Sequence, residues 1–198
     1  MMAATHRLGG AAIGMAATSI LLPGNSEPLK IAALVGGAVL GSLISDIDNH
    51  KSSISRKIPI VSMIVSIFQM AVRGIAELLP AREEKHIRGI VGHRGITHSF
   101  TMLIISTIAL GVIGKMNIVK NISEYKYFAI GIVLGMASHI FLDMFAGGVP
   151  LFCPVTNKRV TLAHIKTGGV IEWVLRTVSI VVFIFVLHDK INILTILK

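Results

Sequence analysis

Charged residues and cysteine are both scarce in this chain. Only 15% of its 198 residues are charged, whereas soluble domains carry roughly a quarter. Hydrophobic residues make up 53%, and the mean hydropathy is +0.77. This composition excludes an ordinary soluble domain and predicts an integral membrane protein. Cys153 is the only cysteine in the sequence, which excludes an internal disulfide and a CxxC zinc site.

Several other sequence patterns are missing as well. The sequence has no HExxH motif, which excludes the common zinc-protease arrangement. It has no internal repeat of the kind found in many transporters. The regular ten-residue alternation of a membrane β-barrel is also missing, whereas the apolar runs suit helices. We therefore expect an all-α integral membrane protein with a single domain over residues 1–198.

Acidic residues are few, and this gives the chain a formal charge of +9. In a soluble protein such a charge would indicate nucleic acid as a partner. Here the basic residues flank apolar segments, where they set topology and meet anionic headgroups. We expect membrane lipid as the partner and no nucleic acid, and no protein partner is evident.

Five apolar segments are expected to cross the membrane, at residues 8–22, 30–45, 99–113, 127–145 and 169–187. A crossing needs about 20 residues, so the first three segments are short. GxxxG motifs lie within three of the five segments and favour a compact bundle. The first segment also resembles a signal peptide, with Arg7 before its apolar core. We expect it to be retained, because His6 belongs to the polar set described below.

A sixth apolar segment, residues 58–79, has the pattern of an amphipathic helix. Its polar residues recur at steps of four, three, four and four, which places them on one helical face. They are Ser62, Ser66, Gln69, Arg73 and Glu77. This pattern predicts a helix lying in the membrane interface. A spanning helix with a polar inner stripe is the alternative.

The position of this sixth segment decides where the polar residues lie. If it lies flat, one side of the membrane collects seven potential metal ligands and the start of the last helix. These ligands are His6, Asp46, Asp48, His93, His98, His139 and Asp143. The same side collects most of the arginine and lysine residues, so the positive-inside rule makes it cytoplasmic. We therefore expect five spans, with the N-terminus inside.

The spacing of these residues indicates metal binding. His139 and Asp143 are four residues apart in a helix, so both can bind one ion; a structural hydrogen bond between them is the alternative. Asp46 and Asp48 can share a site only if the helix unwinds there, and acids at a helix C-terminus attract a cation. His93 and His98 flank Gly95, which permits a turn, and Thr97 is the expected N-cap of the next helix.

The number of ligands exceeds what one ion needs. Three protein ligands with an open position suffice for a catalytic zinc ion, so seven favour a two-metal site of the kind used by phosphoesterases. Arg94 suits the binding of a phosphate group. Glu172 is expected to be a ligand or a general base, unless it pairs with Arg176 within its helix. Asp48 is expected to be a ligand or to position the attacking water.

Four motifs carry a resemblance to a known family. THRLGG, SDIDNH, HRGITHSF and ASHIFLDMF resemble the bacterial membrane-bound metal-dependent hydrolases, some of which are described as LexA-regulated inner-membrane proteins. The resemblance covers residues 5–173 and implies metal-dependent hydrolysis without fixing a substrate. A fainter similarity is to zinc phospholipases C and P1-type nucleases, which also surround a zinc cluster with an N-terminal histidine, an aspartate and a His-x-x-x-acid pair.

The sequence thus predicts a hydrolase of the bacterial inner membrane that binds zinc, with manganese as the alternative. The expected substrate is a phosphoester of a lipid or lipid-linked molecule at the cytoplasmic face. A divalent-cation transporter is one alternative, because intramembrane histidine and aspartate also mark ion pathways. A non-catalytic scaffold with a structural metal site is another.

Overall fold

The computed structural model describes residues 1–23, 27–49, 52–92, 94–116, 119 and 122–191. Within these ranges the chain forms eight α-helices, one 3₁₀ helix (η1) and no β-strand, only two isolated bridges between residues 146–149 and 160–164. The helices are α1 (Ala3–Leu21), α2 (Pro28–Ile44), α3 (Ser53–Lys57), α4 (Pro59–Ala76), α5 (Ala81–Ile90), η1 (Ile96–His98), α6 (Phe100–Ile113), α7 (Tyr125–Met144) and α8 (Val170–Ile191). The prediction of an all-α integral membrane protein is confirmed.

The five predicted spans correspond to α1, α2, α6, α7 and α8. By length and composition, α7 and α8 can cross a membrane, as can α4, while α2 and α6 are shorter apolar helices. The 19 residues of α1 extend over ~28 Å, close to the thickness of the hydrocarbon core. His6 lies inside α1 instead of before it, because the helix begins at Ala3.

The centre of the bundle is the pair α2 and α7, with α1 packed on both. A Cβ atom at Gly41 would overlap the carbonyl oxygen of Ile132, and one at Gly135 would overlap that of Ala38. Gly10 of α1 meets the same Ala38 carbonyl. The backbones approach this closely only because these positions lack a side chain. Each of the three GxxxG motifs therefore contributes a close contact between helices.

Helices α3, α4 and α5 form an excursion that leaves the bundle and returns to the same end. His98, just before α6, lies 3.6 Å from Asp46, just after α2. The ten residues of α5 are too short and too polar to cross a membrane. A single crossing by α4 would bring the chain back at the wrong end, so this geometry favours the interfacial position for α4.

Charged contacts join α4 to α5. Arg88 of α5 lies 2.8 Å from Glu77, just after α4, and Arg73 donates to the carbonyl oxygen of Val91 at 3.5 Å. The polar face of α4 therefore meets α5, while large apolar residues on the rest of the helix are exposed. Lipid is the surrounding in which such a face is stable.

An interfacial α4 should give a flat depth profile in spin-label measurements. We expect nitroxide labels along its exposed apolar face to report nearly equal depths, because a helix parallel to the membrane keeps one face at one level. The label sites are Ile60, Ile64, Phe68 and Ile75, in a Cys153→Ser background. Labels at Val174 and Phe185 of α8 are the control and should differ steeply in depth. A gradient along α4 as steep as that along α8 would show that α4 spans.

Candidate metal centre

Five ionisable side chains meet at one end of the bundle and form what we term the polar cluster. They are His6 of α1, Asp46 of the turn after α2, His98 of η1, and His139 and Asp143 of α7. Four of the five are buried, and the side chain of Asp46 is 22% exposed. Four chain elements thus deliver five of the predicted ligands to one place.

Two groups of three potential ligands overlap within the polar cluster. One consists of His6, His139 and Asp143, and the other of Asp46, His98 and His139. Within each group the ligand atoms lie within 4.8 Å of one another, and His139 belongs to both groups. Three protein ligands leave room for water or substrate on an ion, as catalytic zinc sites require.

The end of α2 separates the roles of its two aspartates. The helix ends at Ile44 and the chain turns over residues 45–48, so the predicted unwinding is present. Asp46 enters the polar cluster. Asp48 lies outside both groups of three, and its Oδ2 accepts from the backbone N–H of Arg94 at 3.2 Å and the hydroxyl of Thr97 at 3.0 Å. These contacts make Asp48 an anchor for the segment from Arg94 to Thr97.

Residues 94–98 form a tight turn before α6. A Cβ atom at Gly95 would overlap the carbonyl oxygen of Ile90, so this position requires glycine. Arg94 adopts the left-handed region with φ of 58°. The prediction of Thr97 as the N-cap is wrong, because the side chain of Ser99 accepts from the Met102 N–H instead. His93 and His50 lie outside the described residues.

Hydrogen bonds indicate which nitrogen of His139 and of His98 faces the cluster. His139 Nδ1 lies 2.6 Å from the carbonyl oxygen of Ser42, which can only accept, so Nδ1 carries a proton. His98 Nδ1 lies 2.9 Å from the Thr97 hydroxyl, which donates its proton to Asp48. His98 Nδ1 must therefore donate to Thr97. Both imidazoles then direct their Nε2 atoms inward.

The two inward nitrogens face each other without a proton of their own. His98 Nε2 and His139 Nε2 are 3.2 Å apart, and each lies 3.6 Å from Asp46 Oδ1. Asp143 Oδ2 lies 3.5 Å from His98 Nε2 and 3.7 Å from His139 Nε2. Four acceptor atoms converge, and such an arrangement favours a cation at its centre or an added proton. In addition, His6 Nδ1 is buried without a hydrogen-bond partner.

The carboxyl group of Asp46 stays ionised even when an added proton, and not a metal ion, occupies the polar cluster. Burial alone would raise the pKa of its carboxyl group, but a hydrogen bond from His98 and the positive charges of His139 and His98 lower that pKa to about 2. A carboxylate is thus available to an ion at neutral pH.

Arg94 forms a bidentate ion pair with Asp143 at the border of the polar cluster. Its Nε lies 3.0 Å from Asp143 Oδ2, and its Nη2 donates to Oδ1 at 3.0 Å. The side chain is 20% exposed, so Arg94 and Asp46 form the accessible edge of the otherwise buried cluster. A phosphate entering from this edge would meet the guanidinium group, and the role predicted for Arg94 stays a prediction.

Glu172 holds the first turn of α1 against α8. It accepts from the Met2 backbone N–H at 2.7 Å, from the Gly168 N–H at 2.6 Å and from the hydroxyl of Thr5. Arg176 lies 3.6 Å from the same carboxylate, as the intrahelical alternative predicted. These contacts describe an anchor for the segment that carries His6, and they give no support to a general base at this position.

Thr97 and Ser42 are in direct contact with the polar cluster, and neither was identified from the sequence as part of the site. Thr97 orients His98, and its place between Asp48 and His98 depends on tertiary contacts. The carbonyl of Ser42 orients His139, and a backbone group leaves no signal in residue types. Cys153 is buried in the α7–α8 connection, where burial raises the pKa of its thiol and disfavours the thiolate that binds metals.

One family of inner membrane proteins and one bacterial protein are similar to this chain. A family described as YdjM inner membrane protein matches residues 1–197. The uncharacterized protein YvsG of Bacillus subtilis (strain 168) is 34% identical over 174 residues, which cover 87% of this chain and 85% of that protein. No solved structure matches. Neither description names a reaction, so the similarity to zinc phospholipases C and P1-type nucleases stays a prediction.

Proposed function

This chain belongs to the YdjM inner membrane protein family, and we propose that it is a membrane-embedded, metal-dependent hydrolase of a lipid or lipid-linked phosphoester. The observation that carries the proposal is the convergence of His98 Nε2, His139 Nε2 and two carboxylate oxygens on one point. Nitrogen and carboxylate ligands without thiolate suit zinc, and manganese is the alternative.

The residues of the polar cluster and its border would have different roles in such a reaction. A divalent ion there would supply Lewis acidity to a phosphoryl group and lower the pKa of a bound water. His6, Asp46, His98, His139 and Asp143 would hold it, with His93 as a further predicted ligand. Arg94 would bind the anionic phosphate, since its guanidinium lies at the accessible edge and can exchange part of its contact with Asp143 for the substrate.

The proposed lipid substrate follows from the surroundings of the polar cluster. The cluster lies at one end of a bundle of apolar helices, at the membrane side to which α4 and α5 also return. A phosphoester at headgroup depth would reach Asp46 and Arg94 laterally, with α4 beside it in the same leaflet. The excess of basic residues predicted for this side would make it cytoplasmic.

Purified protein in lipid nanodiscs should release phosphate or a phosphorylated headgroup from one member of a phospholipid panel when zinc or manganese is supplied. We expect Asp46→Asn to lower this turnover more than ~100-fold, because loss of a direct ligand should exceed the 10–100-fold cost of losing an outer contact. Asp189→Asn, near the C-terminal end of α8, is the matched control and should retain turnover. Equal rates in wild type and Asp46→Asn would overturn the assignment.

A structural metal site is the second candidate, favoured by the burial of the polar cluster. His98, His139 and Asp143 are at most 1% exposed, which suits a closed coordination shell. This candidate predicts bound metal without turnover and a large fall in thermal stability on chelation. The transporter alternative requires ionisable groups at mid-depth or at both ends, whereas the described cluster lies at one end only.

A further inference from the structure

We propose that Thr97 is a positioning residue, which keeps the Nε2 lone pair of His98 turned toward the polar cluster by way of Asp48. The inference rests on the proposed function for its effect on metal affinity. The hydrogen-bond arrangement itself stands on the geometry of three side chains.

The hydrogen bonds among Asp48, Thr97 and His98 have one consistent assignment of donors and acceptors. Asp48 Oδ2 already accepts the backbone N–H of Arg94, and as a carboxylate oxygen it accepts the Thr97 hydroxyl proton at 3.0 Å. The Thr97 oxygen has then spent its only proton and is left with lone pairs. His98 Nδ1, 2.9 Å away, satisfies this oxygen by donating to it. The proton of the neutral imidazole is thereby held on Nδ1.

The two buried histidines differ in how firmly they are held. The Ser42 carbonyl that faces His139 can only accept, so His139 cannot reverse its hydrogen bond. A hydroxyl can donate or accept, and Thr97 accepts from His98 only because Asp48 takes its proton. Thr97 and Asp48 therefore decide the tautomer of His98, whereas the tautomer of His139 does not depend on them.

Loss of the Thr97 hydroxyl would move the proton of His98. Without the Thr97 oxygen to accept from Nδ1, the proton is drawn toward Nε2, where His139 Nε2 lies 3.2 Å away and Asp143 Oδ2 lies 3.5 Å away. A protonated Nε2 has no lone pair for an ion. Metal binding would then require the tautomer to be reversed inside a buried site, without the partner that favours the reversal.

The test is the protonation of His98 Nδ1, measured by nitrogen NMR on histidine-labelled protein in nanodiscs at pH 8, with His98→Gln to assign the signal. We expect a protonated Nδ1 in wild type and in Thr97→Ser, which keeps the hydroxyl, and a bare Nδ1 in Thr97→Val. Zinc affinity should fall 10–100-fold in Thr97→Val and recover in Thr97→Ser. Thr97→Ala serves if the valine variant does not fold.

The NMR result separates this proposal from the proposed function. A protonated Nδ1 in both Thr97→Val and Thr97→Ala would overturn the positioning role, whatever the metal affinity. If Thr97→Val changes the tautomer of His98 and the wild type binds no metal, the hydrogen-bond arrangement is upheld and the proposed hydrolase is overturned. Equal loss of affinity in Thr97→Ser and Thr97→Val would contradict the role of the hydroxyl.

Discussion

Replacing His139 with alanine is expected to abolish stoichiometric metal binding by the detergent-purified protein. His139 is the one ligand common to both groups of three, and its imidazole also stacks on that of His6 at a centroid distance of 3.8 Å. Its loss breaks both groups at once, whereas loss of His6 leaves the second intact. Elemental analysis of zinc and manganese should find stoichiometric metal in the wild-type chain, and about two ions per chain would support the predicted two-metal site.

The control for this experiment is His164→Ala. His164 is exposed in the α7–α8 connection, outside the polar cluster, so the variant should keep the wild-type metal content. Because alanine leaves a cavity, His139→Gln and a check of the helical content distinguish ligand loss from unfolding. A His139→Ala protein with normal metal content would contradict the site. A wild type that takes up no metal after reconstitution would favour a cluster held together by a shared proton.

The substitution Gly135→Val is expected to destabilise the bundle by about 3 kcal/mol or more. The added side chain would meet the backbone of α2 at Ala38, which cannot move aside as a side chain can. Helix α7 would be displaced from α2, and with it His139, one turn further along. Thermal unfolding in detergent should show the lower stability, and metal content should fall in the same variant.

Gly36→Val is the matched control. Gly36 lies in α2, one residue before a glycine of the close interface, yet a Cβ atom there meets no atom within 4 Å. The same substitution is therefore expected to leave the stability and the metal content near those of wild type. Equal destabilisation by both variants would show that valine harms these helices by a route other than backbone contact.

Much of this architecture could be predicted from the sequence, because a membrane makes hydropathy and helix length informative. If residues 58–79 lie flat, the alternation of spans places His6, Asp46, His98 and Asp143 at one end. Helix periodicity paired His139 with Asp143. Both inferences depend on one-dimensional patterns, and the structure brings these residues together.

The division of roles among the acidic residues could not be predicted in the same way. Asp46 and Asp48 are two residues apart in an unwound turn, where no regular period tells which one faces the cluster. The sequence predicts Glu172 as a ligand or general base, or as the partner of Arg176, but does not reveal that it accepts backbone N–H groups from Met2 and Gly168. Helix α5 was not predicted, because tertiary contacts hold it in place. Its Arg88 pairs with Glu77 after α4, and its His86 contacts the carbonyl oxygen of Pro154.

The origin of the ligands on four separate elements has a consequence for a chain with a single cysteine. Under the proposed function, a bound ion would join His6 of α1 to Asp143 of α7 and tie both to Asp46 and His98. It would act as a covalent cross-link does, by lowering the conformational entropy of the unfolded chain over a loop that spans most of the sequence. Helix α7 follows α1, α2 and η1 in the chain, so its synthesis would complete this closure before α8 is made.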